Sequence, residues 1–365
     1  MAKPSALATQ FPALLAEVRA AVDERLATLW DAEIGSLRQY GADVVAAADA
    51  ARDLTMRGGK RYRAALLVAA YAGIAPEASL EPAYQGGIAL ELLQSYLLMQ
   101  DDWMDGDLTR RGGPAVHATL ATRMRDAHRG ASFMILASDY TWGLAVRTLS
   151  DVALPAPRVL AAVQTFARLH ADVVVGQQLD MLGNAPDVDV VHDLKTGAYT
   201  VRGPLVLGAT LAGADATTLD ALSRFAKPVG VAFQLRDDLL GTFGTPDQTG
   251  KPVGNDLRAG KRTAILAEAE KRLSPEGRAA LDRAFGRAEA TEAEVLAATA
   301  ALESCGARAA VASRLARLCA DAEAQAAALP VTDHARVLLA GAASALSPGI
   351  ASGTMQEPAA QRAHA

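Results

Sequence analysis

The feature that most constrains the fold is an almost unbroken succession of apolar residues at helical spacing. It begins with the stretch from Phe11 to Trp30 and continues in similar amphipathic runs to about Leu346. Gly and Pro interrupt it at Gly58-Gly59, Gly112 to Pro114, Pro155 to Pro157, Pro186, Gly244 to Gly254 and Pro330. These positions mark turns between roughly a dozen helices. No alternation of period two runs long enough for a sheet; VVHDL near Val190 and the run Val173 to Val175 read as helix faces. Aromatic residues make up only 5% of the chain, a balance that suits helices packing at close range better than a β-rich core. The expectation is an all-α chain with a single helical domain over residues 1–346. The tail from Ser347 to Ala365 lacks apolar periodicity and is expected to be disordered.

Charge and cysteine content narrow the classes of function. A formal net charge of −5, with basic residues interleaved among acids, leaves no footprint for nucleic acid. Cys305 and Cys319 are the only cysteines and have no zinc-ligand spacing, so a reducing cytoplasm is expected. Glu17 and Arg19 break up the N-terminal segment, and stretches such as Ala64 to Ala72 fall short of the roughly 18 residues of a membrane span. No integral membrane segment is expected. His117, His128, His170 and His192 show no metal-ligand spacing and read as structural.

The run GGIALELLQSYLLMQDDWMDGDLTRRGG is apolar for several turns and then abruptly acidic. On a helix Asp101 and Asp105 share one face, about 6 Å apart, and can jointly ligate a hard cation, while Asp102 points partly away. A solvated helix end is the alternative. Acids crowded at a helix C-terminus, however, are costly to ionise unless a cation intervenes, and magnesium bridging to a diphosphate meets that need. Arg110 and Arg111 follow with donors that can fork onto phosphate oxygens, although a surface ion-pair network is also open.

The same transition recurs 136 residues later in VGVAFQLRDDLLGTFGTPDQTGKPVGNDLRAGKRT. If the two helices lie side by side, Asp237 and Asp238 face Asp101 and Asp105 across one cavity, with Lys251 and Lys261 able to close over a diphosphate. In GGKRYR, Lys60 and Arg63 stand three residues apart near a helix start, a setting for a second diphosphate. Alone, that hexapeptide is more often a loop before a solvated helix.

Taken together in their order and spacing, these segments, with GQQLD at Gly176 to Asp180 and Lys195-Thr196, resemble the polyprenyl synthetase family of trans-isoprenyl diphosphate synthases over roughly Arg57 to Thr263. The resemblance implies an antiparallel helical bundle of the isoprenoid synthase type around a central cavity, several Mg2+ ions per site, and a homodimer. It implies that isopentenyl diphosphate is condensed with an allylic diphosphate. It makes Asp101, Asp105 and Asp237 the metal ligands, supported by Asp102 and Asp238. Lys195, Lys251, Lys261 and Arg110 would hold the allylic diphosphate, and Lys60, Arg63 and Arg111 isopentenyl diphosphate. Thr196 and Gln234 would lie beside the reacting carbons, and Gln177 and Asp180 in the same cavity wall.

Three positions depart from the family pattern: Gly241 replaces a third Asp of the second cluster, Gln94 stands where many relatives have His, and Ala64 replaces Pro. The growing tail is expected to run along the helix before Asp101, with Tyr96, Leu97 and the deeper Leu93 as a ruler. An aromatic at 96, with Arg110 only nine residues after Asp101, resembles geranylgeranyl diphosphate synthases, with a farnesyl product the alternative; Tyr96 packed into the core and limiting nothing also stays open. Two rivals remain at this stage. A class I terpene cyclase would ignore isopentenyl diphosphate, and a regulatory subunit would act only with a partner.

Overall fold

The computed structural model describes residues 6–182, 190, 191, 193–245 and 253–347. Helices α1 (Ala6–Leu37), α2 (Ala42–Met56), α3 (Tyr62–Ile74), α4 (Glu81–Met104), α5 (Val116–Met124), α6 (Ala127–Ser150) and α7 (Ala156–Leu182) come first. A π-helical stretch, Asp193–Arg202, leads into α8 (Gly203–Ala212) and α9 (Ala216–Phe243). Then follow α10 (Asn255–Arg258), α11 (Ala264–Ala269), α12 (Pro275–Ala284), α13 (Glu292–Ser304), α14 (Ala307–Ala326) and α15 (Asp333–Ser344). The fold is all-α, as the periodicity indicates.

Local chemistry sets many of the boundaries. Asp126 and Asp215 cap α6 and α9 by accepting from the amides of Arg129 and Thr218, each at 2.8 Å. Thr291 and Glu294 form a reciprocal capping box at the start of α13. One contiguous buried cluster runs from Phe11 to Leu346, with Leu66, Leu67, Leu90, Leu92 and Leu93 fully enclosed. Helix α4 lies against α3 and α6, α3 against α8, and α9 against the π-helical stretch and α14. At Gly208 in α8 an added Cβ would stand 2.3 Å from the Leu67 carbonyl oxygen, so α3 and α8 meet almost backbone to backbone.

The sequence shows no strand, yet Thr109–Arg110 and Gly113–Pro114 pair as a minimal antiparallel hairpin. Arg111 (φ 51) and Gly112 (φ 72) both adopt the left-handed conformation that a tight two-residue turn requires. A two-residue strand is too short to leave an alternation pattern. The Arg57 guanidinium ties the hairpin to the end of α2 by donating to the carbonyls of Arg110 and Pro114, each at 2.8 Å.

By length and composition, α7 is the one unbroken described helix apolar enough to cross a membrane. Core helices of soluble proteins pass the same test, and α7 carries Arg158, Arg168, Asp172 and Asp180 while supplying a wall of the cavity described below. Cys305 and Cys319 are free thiols.

Candidate active site

A cavity of about 830 Å³ opens among α3, α4, α7, the π-helical stretch and α9. Asp101, at the C-terminal end of α4, and Asp237, near that of α9, both line it. So do Lys60, Arg63, Gln94, Leu97, Arg110, Arg111, Gln177 and Lys195. One Asp of each Asp-Asp pair and the GGKRYR segment therefore line one space, despite their separation in sequence.

The first cluster divides its labour. Asp102 is fully buried and accepts from Arg110 Nε at 2.6 Å, with further pairing to Nη2. Its other oxygen, Oδ2, has no partner. Burial raises the Asp102 pKa even against Arg110. Asp101 ion-pairs with Lys195 at 3.4 Å and with Arg110 at 3.7 Å. Asp105 ends α4; burial and then Asp101 raise its pKa, against the pull of Lys195 and Lys261. Arg110 thus knits the acidic cluster together.

On the other side, Asp237 is reached by water in the cavity yet ringed by protein, and desolvation pushes its pKa up to about 6. Arg236, Lys60 and Arg63 pull the other way. Asp238 is buried and accepts from Gln234 Nε2 at 2.7 Å and from the Ala264 amide at 3.0 Å, anchoring the start of α11. Asp102, Gln234 and Asp238 therefore stand behind the cavity wall. Lys261 is held above its ordinary pKa because Asp256, Asp101, Asp105 and Asp180 together outweigh the cost of burial.

Gly241 has a structural counterpart. An added Cβ there would lie 2.0 Å from Asp256 Oδ2, so the Asp256 carboxylate occupies the space where a third acidic side chain would start. Asp256 also lies 4.0 Å from Lys261.

The basic segment is built differently from its sequence appearance. Arg61, not Lys60, opens α3; it adopts the left-handed conformation and is 2% exposed. It ion-pairs with Asp23 at 2.7 Å and with Glu91 at 2.8 Å. This leaves Lys60 and Arg63 on the cavity. Arg63 donates to Thr200 Oγ1 at 2.9 Å and stacks 4.0 Å above the Tyr199 ring. Arg111 donates to the Arg57 carbonyl at 3.0 Å, and burial lowers its pKa. Arg63 Nε and Gln177 Nε2 are buried without a hydrogen-bond partner, as befits donors whose partner is a ligand.

Lys195 reaches Asp180 at 2.5 Å because α7 and the π-helical stretch touch backbone to backbone at Gly176. A Cβ on Gly176 would lie 2.6 Å from the Lys195 amide nitrogen. Gly176→Ala is expected to cost about 1–3 kcal/mol in urea unfolding. A loss below about 0.5 kcal/mol would show that the contact yields freely.

Lys251, His192 and the side chain of Thr196 lie outside the described residues. Leu97 lines the cavity, Leu93 is fully buried, and Tyr96 turns toward α6 and α7. Sequence reasoning missed Arg57, Arg61, Tyr199 and Thr200. The last two were within reach, since they follow Lys195 by one helical turn.

The charged groups of the site are carboxylates and fixed cations around a partly apolar space. That donor set suits Mg2+, which is commonly held by one or two carboxylates completed by phosphate oxygens and water. Among the described residues no three acidic, His or Cys side chains form a ready-made metal cage.

Residues 45–302 match the polyprenyl synthetase family, and the chain belongs to it. The geranylgeranyl diphosphate synthase of Mycobacterium tuberculosis is 35% identical over 76% of each chain. That of Methanosarcina mazei is 32% identical over 70% of this chain and 76% of its own. Among solved structures, geranylgeranyl pyrophosphate synthase from Corynebacterium glutamicum, complexed with isoprenyl diphosphate and magnesium, superposes with a TM-score of 0.85 at 32% identity. The superposition covers 93% of this chain and 99% of that one. The protein is a chain-elongating trans-prenyltransferase.

Proposed function

We propose that this enzyme condenses isopentenyl diphosphate with allylic diphosphates, in a Mg2+-dependent reaction, to give all-trans geranylgeranyl diphosphate. The observation that carries the reading is one cavity that joins Asp101 and Asp237 to the cations Lys60, Arg63 and Lys195 and continues between Leu97, Leu98, Val173 and Val174. Charged ends fit one half and a prenyl tail the other. The names of the relatives support the product.

In this reading Asp101, Asp105 and Asp237 hold the cations, several per site, and Asp102 and Asp238 fix the two acidic clusters. Bound Mg2+ supplies neutralisation of the departing diphosphate. Lys195, Lys251 and Lys261 clamp the allylic diphosphate, while Lys60, Arg63, Arg111 and Gln94 hold isopentenyl diphosphate. The allylic carbon–oxygen bond breaks, and the isopentenyl double bond supplies the electron pair for the new carbon–carbon bond. A proton then passes from the adjoining carbon to the released diphosphate, and the electron pair of that carbon–hydrogen bond forms the new double bond. Apolar walls exclude water from the allylic cation. Consumption of isopentenyl diphosphate by the purified chain in the presence of an allylic primer tests the reading; release of diphosphate from the primer alone would instead make it a cyclase.

The raised pKa of Asp237, about 6 against an ordinary 3.8, means that the folded state binds its proton more tightly than the unfolded chain does. Full stability from this group is present below pH 4 and is lost as pH rises toward 6; a cation restores it above that window. Mg2+ should therefore raise the melting temperature more at pH 8 than at pH 5. An equal shift at both values would show that these carboxylates are not the ligands.

Exposed Ile135 and Leu136 on α6 and Leu160 and Val175 on α7 support a homodimer. Two free thiols support a cytoplasmic setting.

A further inference from the structure

Arg57 joins three parts of the site at one residue. It closes the last turn of α2 and immediately precedes GGKRYR, whose Lys60 and Arg63 line the cavity. Its guanidinium is oriented by Asp53 at 3.0 Å. Nη1 donates to the Arg110 carbonyl and Nη2 to the Pro114 carbonyl, each at 2.8 Å, so the two bonds flank the turn of the hairpin. In return the Arg57 carbonyl accepts from Arg111 Nη1 at 3.0 Å, and the Leu54 carbonyl accepts from the same nitrogen at 3.4 Å. Side chain and main chain of one residue thus clasp both the backbone that carries Arg111 and the guanidinium that Arg111 presents.

Gly113 fits this clasp. Gly112 needs glycine for its left-handed backbone (φ 72), but Gly113 does not adopt that conformation. What excludes a side chain at Gly113 is Arg57: an added Cβ would overlap Nη1 and stand 2.7 Å from Cζ. Arg111 itself is a non-glycine residue at φ 51, a conformation that surrounding contacts have to hold. The bonds from Arg57 to the carbonyls on either side of the turn supply that hold.

We propose that Arg57 is a positioning residue that sets the reach of Arg111, and with it the affinity for isopentenyl diphosphate, without touching substrate. This rests on the assignment of Arg111 to isopentenyl diphosphate in the elongation reading above. Arg57 is not among the residues that line the cavity, and both its terminal nitrogens are taken by main-chain oxygens. The neighbouring Arg110 has a second anchor, because Asp102 accepts from its Nε at 2.6 Å. Loss of the Arg57 side chain therefore frees Arg111 and leaves Arg110 in place. The effect belongs to KM for isopentenyl diphosphate rather than to the allylic substrate or to turnover.

The test is steady-state kinetics of the full chain with Mg2+, isopentenyl diphosphate and farnesyl diphosphate varied in turn, for wild type, Arg57→Ala, Gly113→Ala, the double variant and Arg111→Met. Arg57→Ala should raise KM for isopentenyl diphosphate about tenfold, the scale of one misaligned charge-assisted hydrogen bond, and change kcat and the allylic KM by less than about threefold. Gly113→Ala pushes the guanidinium off its carbonyls and should raise the same KM. Added to Arg57→Ala it should change nothing further, because the group it displaces is gone. Gly113→Ala also gives a readout if Arg57→Ala does not fold. An unchanged KM in both alanine variants, with Arg111→Met raising it, would overturn the clasp. Effects that multiply in the double variant would overturn it too, by showing that Arg57 acts by another route. No effect of Arg111→Met would remove the assignment of Arg111, and the clasp's function with it, while a wild type that still consumes isopentenyl diphosphate keeps the elongation reading.

Discussion

Asp101→Asn is expected to lower kcat by about 10²–10³-fold, the scale seen when one charge-stabilising group is removed from a site where charge develops in the transition state. The substitution keeps the shape of the side chain and removes its charge. It also removes one contact each from Lys195, paired at 3.4 Å, and Arg110, paired at 3.7 Å, while Asp180 and Asp102 still hold these cations in place. Substrate binding should accordingly suffer less than turnover. The melting temperature should hardly change, because Asp101 is partly exposed and crowded by Asp105, whose pKa it raises. Steady-state kinetics beside thermal unfolding check this; a loss below about tenfold in kcat would take Asp101 out of the chemistry.

The second large effect is on stability. Arg61→Met is expected to cost about 3–5 kcal/mol, the usual consequence of leaving a buried charge without its partner. Glu91 is 2% exposed, and Arg61 Nη1 is its partner at 2.8 Å, with Glu91 Oε1 already unpartnered. Asp23, on the other flank, is open enough to be solvated. Pairing Arg61→Met with Glu91→Met should recover most of the loss, because no charge is then stranded. Equal unfolding free energies for the single and double variants, measured in urea, would show that the triad is not coupled. Activity adds a second readout, since Arg61 sets the left-handed start of α3 from which Lys60 and Arg63 reach the cavity; KM for isopentenyl diphosphate should rise in both variants.

Much of this arrangement was legible in the sequence because the helical period and the acidic breaks are local signals. The fold class and the segments that form the cavity follow from apolar runs that end in Asp-Asp pairs, whereas Asp101 and Asp237 line one cavity only because their helices lie together, a condition the sequence leaves open. Features set by distant partners were not legible. Nothing in GGKRYR shows that its middle Arg is the buried one, since Asp23 and Glu91 come from α1 and α4. Gly241 reads as a lost carboxylate until Asp256 is seen filling its place from the next helix. Tyr96 reads as a ruler by position, but its direction depends on Trp142 and His170. The hairpin at Arg111 was hidden because an arginine in a left-handed turn carries no glycine-like mark.

The most direct test of the central claim is a single incubation of the purified chain with Mg2+, isopentenyl diphosphate and farnesyl diphosphate, with products identified by mass. The account predicts geranylgeranyl diphosphate as the end product, formed only while Mg2+ is present. Absence of any elongated product, with farnesyl diphosphate recovered unchanged, would contradict it.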